Sequence, residues 1–331
     1  MALTVNYSIN GNKIHRGPGY LYLNALCPLP GMRALVDGSI PPKLVDPPDP
    51  VAWTTARTDA VGDLMKQTAG NNIHECTTAG TGAASEPTWE TAIGAVTSDG
   101  ATVKWTNRGP AWIWKLSTAV VEDQEIRVAT TFNIHRCIVP GTTAASEPAW
   151  STLYGGITQD GTAQWMCLGP TAGVGATDGE IQVTLEGKFD EITADQIRTP
   201  LDQFLVSESA KIEATLKELN LEFFSRSVPN VAYASGITDT HLPAGAQSVE
   251  EITMGGMAVI PKMSLVIVSP KRLTSSPAKN IVACLYKASA QTGAGLGFTR
   301  TKETMWKAAW GGYAVTWRPT NDQVAAIYGQ V

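Results

Sequence analysis

The sequence is poor in charge and in the residues on which most catalytic and metal sites depend. Charged side chains make up 17% of the 331 residues, and there are four histidines and five cysteines. The cysteines are odd in number, widely spaced and without a C-x-x-C pair, which indicates buried free thiols rather than a disulfide framework or a zinc site. No G-x-S-x-G, H-E-x-x-H or G-x-x-x-x-G-K-[ST] motif is present. We therefore predict that the chain is not an enzyme and binds no cofactor.

Long apolar runs are also missing. No stretch approaches the ~20 apolar residues that a membrane-spanning helix needs, and the first ten residues lack a basic segment followed by an apolar one. We expect no membrane partner, and synthesis in the cytoplasm without an export signal. The formal net charge of -5 argues against a protein that grips nucleic acid by neutralising phosphates.

What the sequence does contain is an internal duplication. Residues 72–100 and 133–161 are identical at 17 of 29 positions at an offset of 61, where unrelated sequences would match at roughly two. The shared motifs include N-I-H-x-C and A-A-S-E-P-x-W. Both copies also contain a D-G pair, and after this pair the second copy is one residue shorter than the first. The duplication predicts two modules, module 1 (residues 51–110) and module 2 (residues 111–170), inserted into a host domain formed by residues 1–50 and 171–331.

Each module is expected to be a small β unit. The pairs Asp99-Gly100 and Asp160-Gly161 predict hairpins with positive φ at both turn residues. Tryptophan is unusually frequent, and seven of the ten lie in the insert. Because units of about 60 residues bury little area, we interpret the indoles as their structural core. Six form three matched pairs: Trp53 with Trp114, Trp89 with Trp150, and Trp105 with Trp165.

The insert is flanked by residues that indicate linkers. Prolines occupy positions 41, 42, 47, 48 and 50 on one side, and glycines occupy 173, 175 and 179 on the other. Both modules are mildly acidic, with 7 basic and 11 acidic residues over 51–170.

The repeat also places a histidine two residues before a cysteine, as His74 with Cys76 and His135 with Cys137. A metal site in each module is one interpretation, and packing of a strand into the core is the other. Zinc takes four ligands, and no third and fourth ligand repeat at suitable spacing. We therefore predict core packing and no metal.

The host is predicted to be mainly β, a sandwich or open sheet with one or two short helices. Alternating polarity predicts strands at 181–185 and 211–217, separated by a long polar loop at 187–206, and a short helix at 221–227. Further strands are predicted at 265–268, 281–286 and 313–317, with a loop or edge at 301–309 and a terminal helical turn at 322–328.

Residues 180–222 carry ten acidic and four basic side chains. A solvated loop is one interpretation of this imbalance. The other is a functional surface that repels an anionic partner.

Around residues 180–222 the sequence resembles the tail tube (major tail) proteins of long-tailed bacteriophages. The resemblance rests on G-P-G-Y-L-Y-L at 17–23, on residues 193–202, on the strand-to-helix passage 210–219 and on the end of the chain, 286–298 and 306–331. The S-E-P-x-W units resemble small β modules of phage tail and virion proteins.

This resemblance implies a tail tube fold and a structural subunit of the virion tail. Six copies would form a ring by joining their sheets edge to edge, and stacked rings would form the tube through which DNA is ejected. The implied partners are further copies of the chain and other tail proteins such as the tape measure and terminator, and DNA passes without specific binding. The modules would decorate the outer surface.

The resemblance also implies roles for particular residues. A loop that reaches a neighbouring subunit or ring would contain Asp190, Glu191, Asp195, Thr199, Pro200 and Asp202. The face toward the lumen would contain Glu186, Lys211, Glu213, Thr215 and Lys217. An acidic lumen is expected because DNA must slide without being held.

Two alternatives stay open. The chain could be another tail component, such as a terminator or baseplate hub. It could also be a carbohydrate-binding adhesin in which tryptophans of the repeats stack on host surface glycans.

Overall fold

The structure is a computed structural model that describes residues 19–33, 35–36, 43–194, 197–218, 220–237, 249–256, 259–271, 279–291, 293, 295 and 304–329. Over these residues the protein is mainly β, with several sheets and one short helix. None of the described residues forms a helix long and apolar enough to cross a membrane.

The chain begins with host strands and then enters the two modules. The first host strands are β1 (Tyr20–Leu23), β2 (Leu35–Val36) and β3 (Leu44–Val45). Module 1 contains β4 (Val51–Ala52), β5 (Thr58–Asp59), β6 (Leu64–Lys66), β7 (Asn72–Thr78), β8 (Gly80–Thr81), β9 (Val96–Asp99) and β10 (Val103–Pro110). Module 2 contains β11 (Ala119–Val120), β12 (Glu125–Arg127), β13 (Asn133–Val139), β14 (Gly141–Thr142), β15 (Ile157–Asp160) and β16 (Ala163–Pro170).

The rest of the chain returns to the host. Its strands are β17 (Ala172–Gly173), β18 (Thr177–Ala194), β19 (Ile197–Leu216), β20 (Val231–Ile237), β21 (Val249–Met254), β22 (Met263–Lys271), β23 (Lys279–Ala290), β24 (Trp306–Gly312) and β25 (Ala325–Gly329). The helix α1 (Leu221–Ser227) lies where the sequence predicts one, and the side chain of Asn220 caps it by accepting from the Phe223 N–H.

The main host sheet has eight strands and is strongly curled. Its order is β17-β1-β22-β23-β24-β19-β18, with β25 beside β23. In a flat sheet β1 and β18 would lie five spacings, about 24 Å, apart. Instead, a Cβ atom at Gly19, next to β1, would lie 3.1 Å from Cδ1 of Ile181 in β18. The curl encloses an inner core that includes Leu23, Ile212, Leu265, Leu285 and Trp310, each at most 1% exposed.

The two modules repeat one topology. Module 1 forms a β4-β6-β7-β10-β9 sheet with a β5–β8 pair, and module 2 forms a β12-β13-β16-β15 sheet with a β11–β14 pair. The residue lost from the second copy maps to one hairpin. Asp99 pairs with Val103 across a three-residue loop, whereas Asp160 pairs with Ala163 across two residues.

These hairpins differ from the predicted turn. Among the turn residues only Gly100 (φ 79°) and Gly161 (φ 59°) have positive φ. Asp99 and Asp160 are the last residues of their strands, and both are buried. The aspartates stay out of the turn because their carboxylates are bound in the module core.

Each aspartate holds two tryptophans. Oδ2 of Asp99 accepts from Nε1 of Trp53 (3.0 Å) and of Trp105 (3.3 Å), and its Oδ1 accepts from the Ala83 N–H. In module 2, Oδ2 of Asp160 accepts from Trp114 (2.9 Å) and Trp165 (3.1 Å), and Oδ1 accepts from the Ala144 N–H. A buried carboxylate is thereby satisfied by three donors, which the low polarity of the core makes strong.

The third indole pair is held by the glutamate of the S-E-P-x-W motif. Trp89 donates to Glu86 at 2.7 Å and Trp150 donates to Glu147 at 2.8 Å. Trp89 also meets Trp105 edge to face, with ring centroids 6.3 Å apart. Two of the six matched tryptophans therefore lie in the buried clusters of the modules, and the other four pack against these clusters.

Both modules pack on the host through the same sheet face. In β7, Ile73 contacts the host side while His74 and Cys76 point to the indoles, because successive strand residues alternate. In module 2 the residue equivalent to Glu75 is Arg136, which donates to the Tyr286 carbonyl of β23 at 2.7 Å. The flanking glycines are also part of the fold: Gly173 pairs with Tyr22, and Gly179 lies in β18.

Three host predictions are wrong. Residues 187–194 and 197–206 form strands rather than a loop, because the two segments pair with each other as a two-stranded ribbon. Residues 313–317 form no strand, whereas 306–312 do. The predicted helical turn at 322–328 contains β25, which occupies the edge of β23 that β24 leaves open. Gly17, Pro18, Pro41, Pro42, Asp195, Gln196, Leu219 and Phe298 lie outside the described residues.

Replacing the indole-binding carboxylate should destabilise its module. The side chain in Asp160→Asn has one acceptor oxygen, which can accept either from the two indoles or from the Ala144 N–H. Its NH2 group then lies against the remaining donor and cannot accept a hydrogen bond from it. We expect a loss of about 2 kcal/mol of unfolding free energy, measured by urea unfolding with tryptophan fluorescence. Asp99→Asn should lower the unfolding free energy in the same way. Glu90→Gln, at an exposed position, serves as the control. Unchanged unfolding of both aspartate variants would refute this role.

Candidate functional site

The most exposed part of the host is the hairpin formed by β18 and β19. The two strands pair from Thr177 with Leu216 out to Ala194 with Ile197. On its other side β19 pairs with β24 only over residues 211–216. Within the described part of the chain, residues 187–194 and 197–208, the distal hairpin, therefore pair only with each other and extend about 25 Å beyond the sheet.

A β-bulge sets which side chains share a face. Lys188 pairs with Ser207, but Phe189 pairs with Leu205, so Val206 has no opposite residue. The extra residue inverts the alternation of β19 and brings Phe189 and Leu205 to one face. That face is continuous with the inner core, where Val183 pairs with Ile212.

Beyond the core this face stays apolar but uncovered. Leu185 is 54% exposed, Phe189 51% and Leu205 45%. On the opposite face, Phe204 lies across from Asp190, and Ile192 lies across from Asp202. Phe204 and Ile192 are also about half exposed. The distal hairpin thus presents large apolar side chains to solvent on both faces.

An open groove adjoins the start of the distal hairpin. It has a volume of about 830 Å³ and is lined by Leu185, Phe189 and Leu205 from the hairpin and by Tyr313, Val324 and Ala325 from the segment around β25. The groove continues the apolar face toward the body of the host.

The hairpin also has an unpaired backbone edge. β18 ends the strand order of the sheet, so its 18 residues have a partner strand on one side only within the described part of the chain. Unpaired edges of this length are templates for pairing with another strand.

The residues predicted to contact a neighbouring subunit lie on this hairpin. Asp190, Glu191, Thr199 and Asp202 are exposed, and they lie in strands rather than in a loop. Pro200 lies in β19, and Asp195 lies outside the described residues. The sequence prediction missed the apolar residues between them, although Phe189, Ile192, Phe204 and Leu205 were visible as β-favouring residues in a segment that we interpreted as polar.

The residues predicted to face a lumen share one face of the same hairpin. Lys211, Glu213 and Thr215 alternate with the buried Ile212, Ala214 and Leu216, and Lys217 follows directly. Glu186 joins them because it pairs with Ser209, on the same side of β19.

Charge on this face differs from the expected acidic surface. Lys211 pairs with Glu213 at 2.8 Å, and Lys217 pairs with Asp178 at 3.0 Å. The five predicted residues carry two positive and two negative charges. Part of the acidic excess of the segment lies further out, as Asp190, Glu191 and Asp202 on the distal hairpin.

The repeated His-x-Cys pairs belong to the module cores. His74 packs against Trp89 with ring centroids 4.3 Å apart, and His135 packs against Trp150 at 4.8 Å. Burial lowers the pKa of both imidazoles to about 4 and raises the pKa of the Cys137 thiol to about 12, so these groups are neutral at pH 7. No group of three or more potential ligands capable of holding a metal ion occurs among the described residues.

The tryptophans are arranged as core residues. Trp105 and Trp165 are fully buried, and the other four matched indoles are half-buried. All six indole N–H groups are bound by carboxylates of their own module. This geometry favours a structural role over stacking on a sugar.

The buried imidazoles predict acid sensitivity of the modules. Their pKa is about 4 in the folded chain and 6.5 in the unfolded one, so the stability they contribute is present above pH 6.5 and is lost as the pH falls toward 4. The maximum loss is roughly 3 kcal/mol per histidine. In His135→Phe the unfolding free energy should fall less steeply between pH 7 and pH 4 than in the wild type. An unchanged slope would contradict the role of the buried imidazole in this acid sensitivity. His135 suits this test because its ring nitrogens have no hydrogen-bond partner among the residues that the structure describes.

Comparison with known proteins assigns no family to the chain. No protein-family model matches it, and no curated protein matches it either. Function has to be argued from the geometry of the described residues.

Proposed function

We propose that the protein is a structural subunit of a phage tail tube, which self-assembles into stacked, hexameric rings. The observation that carries this proposal is the β18–β19 hairpin, which combines an edge without a partner strand among the described residues with apolar side chains exposed on both faces. The sandwich-like tail tube fold implied by the sequence resemblance belongs to the same proposal. The curled eight-stranded host sheet supports it.

The exposed hairpin gives a physical reason for assembly. A two-stranded ribbon alone is marginally stable in water. Removing apolar surface from water contributes about 25 cal/mol per Å², on the order of 1 kcal/mol for each half-exposed Phe or Leu. Leu185, Phe189 and Leu205 on one face and Ile192 and Phe204 on the other are therefore expected to be covered by another chain.

The position of the hairpin favours repeated assembly over a closed dimer. In the curled sheet the base of β18 lies beside β1 of the same chain, so it is the distal part of its edge that extends outward and can meet a different surface of another copy. When two different surfaces of one molecule meet, the contact is head-to-tail, and it repeats until a ring closes or a filament grows. Rings joined in this way match the edge-to-edge barrel of a tail tube.

The modules are compatible with an open bore. Arg136 of module 2 contacts β23, whereas the proposed lumen residues Glu186, Lys211, Glu213, Thr215 and Lys217 lie on the hairpin. In the proposed tube the modules decorate the outer surface, and the hairpin face with paired lysines and glutamates lines or backs the lumen. A face without net positive charge does not hold DNA.

The proposal places the protein in the virion tail. Its partners are further copies of itself, together with the tape measure and terminator proteins, and DNA passes through without specific binding. Another tail component with the same fold, a terminator or baseplate hub, is the alternative. Copy number in purified particles separates the two, since a tube protein fills many rings and a terminator one.

Charges introduced into the apolar hairpin face should abolish assembly. In Phe189→Asp/Leu205→Asp, two side chains that are about half exposed become anionic. We expect wild-type protein to form rings or tubes in negative-stain images and the variant to stay monomeric, with unchanged tryptophan fluorescence because neither residue belongs to a core.

The matched control is Val61→Asp, since Val61 is 68% exposed and belongs to module 1 rather than to the hairpin. This variant should assemble like the wild type. A wild-type protein that remains monomeric at high concentration would overturn the proposed function.

A further inference from the structure

A buried group of four charged residues joins module 2 to the host. Nζ of Lys287 in β23 lies 2.6 Å from Oδ2 of Asp123, which precedes β12. Their side chains are 13% and 5% exposed. The guanidinium of Arg136 contacts both neighbouring carboxylates, with NH2 2.5 Å from Glu125 Oε1 and NH1 3.8 Å from Asp123 Oδ1. An amine and two carboxyl groups are thus held together away from water.

The duplication shows that this group is particular to module 2. At the offset of 61, Asp123 replaces Gly62 and Glu125 replaces Leu64. Asp123 keeps the left-handed backbone of that position, with φ 65° compared with 94° for Gly62. Aspartate adopts this backbone more readily than most residues with a Cβ atom, so the turn is kept while a carboxylate is added.

The surroundings of this group are largely apolar. Trp112, Tyr286, Val315 and Trp317 line a cavity of only about 30 Å³ beside Asp123 and Glu125, and Arg318 lines it as well. Burial raises the pKa of Glu125, although Arg136 and Arg318 oppose this shift. In this site of low polarity a proton can pass directly from the Lys287 ammonium to the Asp123 carboxylate along their 2.6 Å contact.

We propose that Lys287 and Asp123 form an intramolecular isopeptide bond, with Glu125 as the proton carrier. The neutral amine attacks Cγ of Asp123, and a bond forms between Nζ and Cγ. Glu125 takes one proton from the nitrogen and gives one to the departing hydroxyl group, so that the C–O bond breaks and one water molecule leaves. No oxidant or cofactor is required, and Arg136 stabilises the charge on the carboxyl oxygens.

The fixed positions of Lys287 and Asp123 favour this condensation. The two groups are held by a rigid fold at reactive distance, which replaces a bimolecular encounter with an intramolecular one. The bond would covalently close the chain between positions 123 and 287, which are 164 residues apart, and would fix module 2 to the host sheet.

Mass spectrometry of the intact, full-length protein tests the proposal. We expect the wild-type protein to weigh one water molecule less than its sequence requires, whereas Lys287→Arg should have the full mass of its own sequence. Trypsin should leave Lys287 uncleaved and release residues 116–127 joined to residues 280–300 as one branched peptide. Under denaturing electrophoresis the linked chain should migrate faster than the variant.

Two controls separate the bond from a simple ion pair. Glu125→Gln keeps a hydrogen-bond acceptor for Arg136 but cannot carry a proton, so it should lose the branched peptide. The exposed pair Lys211–Glu213, with a similar N···O distance of 2.8 Å, should be cleaved normally after Lys211. A wild-type mass without the loss of water, with normal cleavage after Lys287, overturns the proposal, and it does so even if the variants fail to fold.

Discussion

The limited length of β24 shapes the exposed surface of this protein. β24 pairs with only six residues of β19, from Lys211 to Leu216, although β19 has 20 residues and β18 has 18. Everything beyond that contact is held by a single cross-strand ladder. The bulge at Val206 turns Phe189 and Leu205 to the side that buries Ile212 in the core, so the apolar face continues past the point where the fold can cover it. Contact with another molecule would remove this apolar face from water.

The modules illustrate how small β units obtain a core. Each uses a fully buried carboxylate, Asp99 or Asp160, to bind two indole N–H groups and one backbone N–H. The aspartate organises large side chains that bury most of the area in the unit. The opposite sheet face has diverged: Glu75 in module 1 corresponds to Arg136 in module 2, and each pairs with a different partner beside the host. Similar cores therefore support different docking surfaces.

This divergence concentrates unusual chemistry at one junction. Module 1 has glycine and leucine where module 2 has Asp123 and Glu125, and only the second set meets a host lysine. Buried ion pairs of this kind contribute little net stability compared with apolar packing. The short, buried contact between Asp123 and Lys287 is the observation on which the proposed isopeptide bond rests.

The sequence by itself determined the local and repetitive features of the protein. The 61-residue offset, the indole pairs and the helix Leu221–Ser227 follow from identity and from short-range propensity, which act within a few residues. The tertiary structure decided the rest. Residues 187–194, 197–206 and 325–329 became strands because of their partners, Asp99 left its turn because the indoles of Trp53 and Trp105 bind it, and Lys287 met Asp123 only through docking. Strand pairing and buried charge depend on residues remote in the chain, and no local pattern contains that information.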